Sequence, residues 1–170
     1  GALFRKLVDL GSSGFVLEDF AALVRNRVYP WKEREALEEL VKFGIENHCL
    51  ANLQKTRHGM MWEQALERRG AGRLKALFER LQRGIRAIAS APDFDQLRRR
   101  LHTFAGSFFD SDGWNPEQER VFQAGLDLLK DLSLQQQLLS ALELKDPVGF
   151  WLRILDTKQY VPKQTARGIP

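Results

Sequence analysis

Apolar side chains along this chain recur at intervals of three and four, and almost nowhere at intervals of two. That spacing lays one stripe on an α-helix rather than one face on a strand. The most regular stretch is Leu74, Leu77, Phe78, Leu81, Ile85 and Ile88, which predicts a helix buried along one side. It closes a block, residues 34–83, around which the chain is organised. Leu37, Leu40 and Val41 mark a shorter helix ahead of it, with Gly44 placed as a left-handed C-cap and a second short helix beyond that glycine. Trp62, Ala65 and Leu66 open another, hinged at Gly70 and Gly72 to the long stripe. Helices this short and one-sided are marginal alone and must bury their stripes against one another.

The flanking segments follow the same rule. Leu3, Phe4, Leu7 and Val8 share a face that ends at the glycine and serine run of residues 11–14, and Phe20, Leu23 and Val24 form the next stripe. Tyr29, Pro30 and Trp31 make a turn, because proline lacks a donor and disfavours helix before it. Ala91, Pro92 and Asp93 mark a break, after which Phe94, Leu97, Leu101, Phe104 and Phe108 form an apolar seam. Asn115 followed by Pro116 reads as an N-cap and first helical residue for the stripe Val121, Phe122, Gly125, Leu126, Leu129 and Leu132. Ser133 with Gln136 reads as a capping box opening a further helix through Leu134, Leu138, Leu139 and Leu142. Asp146 and Pro147 begin the last, with Phe150, Trp151, Ile154 and Leu155 facing inward.

About nine such segments and no alternating run between hairpin turns predict an all-α helical bundle. Its expected organisation is two packed helical modules, residues 1–90 and 92–160, and a flexible tail over residues 161–170. Of the 170 residues, 44% are apolar and 28% charged, the balance of a globular chain with a real core. No apolar run is long enough to span a membrane. Cys49 is the sole cysteine, so no intrachain disulfide forms, and a reducing, cytoplasmic setting is expected. The first residue is Gly1 rather than Met, which suggests a segment of a larger protein.

The formal charge of +4 is uneven: from Arg57 to Arg100 there are eleven Lys and Arg against five Asp and Glu, a local +6 that leaves the remainder at −2. No metal or other cofactor is expected, because His48 and Cys49 are adjacent, His58 and His102 are remote, and nothing has paired-ligand spacing. Cys49, among Ile45, Leu50 and Leu53, reads as a core residue rather than a nucleophile.

One stretch departs from plain bundle patterning. His102, Thr103, Phe104, Ala105, Gly106 and Ser107 resemble the signature of histidine phosphotransfer domains, with Ala105 where that family commonly has lysine. The seam faces the core and puts His102 on the flank of its helix. Gly106, one turn on, leaves the imidazole uncovered, and Arg98, one turn before, stands where it can help neutralise a phosphoryl group. The resemblance implies a phosphotransfer relay through His102.

A second resemblance spans residues 20–83. Leu37, Leu40, Val41, Gly44 and Ile45, then Trp62, Ala65 and Leu66, then the run from Gly72 to Leu81 are similar to the effector-associated domains, death-fold-like adaptors of bacterial defence and signalling proteins. This implies a non-enzymatic module that recruits another protein. The polar edge Arg68, Arg69, Arg73, Arg80 and Arg83 is where a partner with an acidic surface is expected to bind. Nucleic-acid binding through the same arginines is a third reading, opposed by the interleaved Glu63, Glu67 and Glu79.

Overall fold

The computed structural model describes residues 2–51, 61–138 and 145–157. Among them are eight α-helices and no strand: α1 (Ala2–Ser12), α2 (Leu17–Arg25), α3 (Arg34–Glu46), α4 (Trp62–Arg68), α5 (Gly72–Ala89), α6 (Phe94–Phe108), α7 (Pro116–Leu138) and α8 (Pro147–Thr157). The expected bundle is what forms. Helix α5 lies at its centre, with α1 packed along it and α3, α4 and α6 against its other sides. Helix α7 packs on α6, and α8 also touches α6. All six positions of the α5 stripe are buried, as are all five of the α6 seam. Two helix starts are capped where the sequence signalled them. The Asp93 carboxylate accepts from the Gln96 amide at 2.6 Å, and the Asn115 side chain accepts from the Glu117 amide at 2.9 Å.

One apolar cluster runs through both sides of Pro92, from Phe4 to Leu152. A short backbone bridge joins them as well. Trp31 pairs antiparallel with Phe109, the Lys32 amide donates to the Phe108 carbonyl at 2.9 Å, and the Asp110 amide donates to Pro30 at 2.7 Å.

Three local expectations are corrected. Gly44 does not cap α3; it lies inside the helix, and a Cβ there would meet Trp62 Cη2 at 2.3 Å. The glycine is required by close packing, and the left-handed residue after the helix is His48, at φ 52°. The short helix expected beyond Gly44 is absent from residues 47–51, which form a turn and extended chain, and its remainder lies outside the described residues. Nor does a new helix open at Ser133, because α7 runs unbroken to Leu138. No glycine or proline falls between Leu132 and Leu138, so nothing diverts the backbone ladder, and Leu134 is 52% exposed. Leu139, Leu142 and the tail over 161–170 lie outside the described residues.

The buried aromatics give the fold its weakest points to probe. Phe78 has no exposed surface and stacks on Trp62 with ring centroids 5.3 Å apart. Replacing it with alanine should cost about 3–5 kcal/mol in chemical denaturation. Gly44→Ala should cost about 1–3 kcal/mol, because the new methyl must displace a buried indole. Parent-like stability of either variant would show that the Trp62 pocket is looser than described.

Candidate functional site

The arginine edge is built by the α4–α5 corner. Arg68 ends α4 and Arg69 caps it; Gly70, at φ +63°, then turns the chain into α5. Because the α5 stripe faces the core, Arg73, Arg80 and Arg83 are left on its outer side, and all five arginines of the edge are exposed. They are not equally available. Arg73 pairs with Glu39 and Arg80 with Glu33, both carboxylates contributed by the neighbouring α3 segment. Arg80 also holds its guanidinium 5.4 Å from the centre of the Phe108 ring. Arg69 Nε donates to the Asn47 side chain at 2.9 Å. Among the described residues, Arg68 and Arg83 make no hydrogen bond or ion pair. The edge expected from sequence is therefore two cations locked onto α3, one tied to Asn47, and two uncommitted. The glutamate partners were invisible in the sequence because they lie more than thirty residues away on another helix.

The second candidate, His102, projects from α6 beside a shallow depression lined by Arg98, Gln123, Leu126, Asp127 and Lys130. The imidazole is exposed, and so is Gly106 one turn on. A Cβ at Gly106 would find no atom within 4 Å, so this glycine is not a helix contact. Its carbonyl instead accepts from Lys32 Nζ at 2.6 Å. Arg98 is partly engaged by Asp95 at 3.3 Å, and Asp95 also holds Arg99 at 2.6 Å. Facing the histidine from α7 are one cation, Lys130, and one carboxylate, Asp127, which accepts from Gln123 at 3.0 Å. The flank is thus open as expected, with mixed charge around it.

Cys49 is buried, and that burial pushes its thiol up to about 11, the wrong direction for a nucleophile. Ile45 and Leu50, expected beside it in the core, are 50% and 46% exposed. Among the described residues no three His, Cys, Asp or Glu side chains gather as a metal site, and His58 lies outside them. No described helix is long and apolar enough to cross a membrane.

No curated protein and no solved structure matches the chain. One family does. Along residues 1–161, nearly the whole length, the chain matches the model of the Treponema TP0900 fourth helical domain, and it belongs to that family.

Proposed function

We propose that this domain is a non-catalytic interaction module that captures a protein with an acidic surface through the α4–α5 edge. The observation that carries the reading is the pair of uncommitted cations, Arg68 and Arg83, held out on two packed helices with Arg69 between them in sequence. A guanidinium that already faces a glutamate gives little to a newcomer, whereas a solvated one can exchange water for a partner carboxylate. The contact then rests on Arg68, Arg69 and Arg83, with Arg73 and Arg80 fixing α3 against α5 behind them. The family's description as a fourth helical domain speaks of one domain in a series, which suits a part that works by contact. The likeness of residues 20–83 to effector-associated adaptors extends the proposal to a bacterial defence or signalling protein. A reducing cytoplasm suits the lone thiol of Cys49. Nucleic acid is disfavoured as the partner, because Glu33, Glu39 and Glu67 already offset neighbouring cations along this edge.

The test is affinity capture from the host lysate at about 0.15 M salt. The parent should retain a discrete acidic partner, and the triple variant Arg68→Glu, Arg69→Glu, Arg83→Glu should lose it. Stability should stay within about 0.5 kcal/mol of the parent, since all three side chains are exposed. Undiminished capture by the triple variant sinks the reading.

A second reading, phosphotransfer through His102, is favoured by one observation: the histidine is exposed and the space over Gly106, one turn on, is open. In-line transfer would break the phosphorus–oxygen bond of an aspartyl phosphate and form a phosphorus–nitrogen bond to the ring. Incubation with a phosphorylated receiver domain should then leave acid-labile label on the parent and none on His102→Gln or Gly106→Leu. Label that persists on His102→Gln, or none on the parent, removes this reading.

A further inference from the structure

A different set of cations lies across α2 and α3. Two depressions, one lined by Arg25, Glu38, Lys42, Ile45 and Glu46, the other by Arg25, Arg27, Arg34 and Glu38, meet at the shared Arg25 and Glu38 as the two halves of one shallow groove. Arg34 is its fixed wall. Its guanidinium donates to the carbonyl oxygens of Val24 at 2.9 Å and Asn26 at 3.5 Å, and also to that of Tyr29. The first two belong to the end of α2, where carbonyls lack helical partners, and Tyr29 lies in the turn that follows. Arg25 and Arg27 flank that wall. Both are exposed, and among the described residues neither makes a hydrogen bond or an ion pair. At the other end Ile45 stands half in solvent, next to Lys42, whose ammonium is 3.7 Å from Glu46.

The groove thus offers free cations at one end and an exposed branched aliphatic at the other. Long cationic side chains and single half-exposed isoleucines are each ordinary on a helix; here Ile45 shares one depression with Arg25, unpaired among the described residues. We infer that this groove docks an acidic segment of a partner protein, with carboxylates on Arg25 and Arg27 and one apolar side chain on Ile45. The inference rests on the reading of the domain as an interaction module for acidic partners, and adds a surface that shares no residue with the α4–α5 edge. The balance of charge sets the occupant's sign. Glu38 and Glu46 are outnumbered by Arg25, Arg27, Arg34 and Lys42, so a segment rich in Asp or Glu is attracted and a basic one repelled. Ile45 favours a polypeptide over a polynucleotide, whose phosphates offer it nothing to bury.

The probe is a synthetic polyglutamate peptide carrying one central leucine, titrated calorimetrically into the full chain at about 0.05 M salt, where surface charge is weakly screened. The parent should bind. Arg25→Glu with Arg27→Glu should weaken binding by about tenfold or more, the neutral pair Arg25→Gln with Arg27→Gln should weaken it less, and Ile45→Ser should remove the preference for the leucine peptide over plain polyglutamate. Circular dichroism should be unchanged throughout. Binding that survives the Arg25 and Arg27 reversals but is lost on Arg68→Glu with Arg83→Glu overturns this inference and leaves the α4–α5 reading in place. No binding to the parent overturns this inference, while the α4–α5 reading stands or falls by its own capture test. Single-stranded oligonucleotide that competes through the same arginines, or indifference to Ile45→Ser, overturns the choice of occupant.

Discussion

Helices α2, α3, α4 and α5 converge on the indole of Trp62. The ring is fully buried, stacks at 5.3 Å on Phe78 of α5, and meets Phe20 of α2 edge-on at 5.7 Å. It lies so close to α3 that only glycine fits at position 44. Its one polar atom is satisfied by the carbonyl of Phe15 at 2.9 Å, which matters because an unpaired indole N–H at this depth would be costly. That hydrogen bond also accounts for an unusual backbone. Phe15 follows Gly14 into the left-handed region, at φ 62° after φ 73°, a conformation a bulky residue adopts only when its surroundings hold it there. Its buried ring, 5.4 Å from Phe78, and its carbonyl under the indole are those surroundings. Four helices are thereby fixed by one side chain.

Once the apolar stripes are spent on this core, what remains for function is the outer layer, and there the decisive property is which charges are already used. Arg73 and Arg80 are spent on α3, and Arg34 on the end of α2. The exposed ion pairs of Arg73 and Arg80 contribute little to stability, on the order of 0–1 kcal/mol each. Their larger effect is to sort the arginines into those that hold helices in register and those that can meet another molecule. Among the described residues of the +6 segment, Arg73 and Arg80 are thereby withdrawn from the surface charge while Arg68 and Arg83 are not, and the proposed recognition of carboxylates rests on that division.

The helices were legible because each hides only one side: the stripes ending at Ile88 and at Phe108 repeat at helical spacing without interruption, and Asp93 and Asn115 carry short-range capping chemistry. Exposure of His102 was legible for the same reason, from its position off the Phe104 seam. What could not be read was anything that depends on a distant neighbour. A glycine that ends a helix and a glycine beneath an indole look alike in one dimension, so Gly44 was misread. The serine and glutamine of a capping box are equally at home mid-helix, so Ser133 was misread too. The pairs that neutralise Arg73 and Arg80, and the carbonyls that hold Arg34, exist only after α2, α3 and α5 have packed.

The central structural claim, that Trp62 is the fixed point of the bundle, is tested most directly by hydrogen exchange at its own indole N–H. If the bond to Phe15 sits in the last part of the structure to open, exchange of that proton should report the same free energy as global unfolding by denaturant, within about 1 kcal/mol. Exchange through local fluctuations, several kcal/mol easier than global unfolding and faster than at the Trp31 indole, would contradict it.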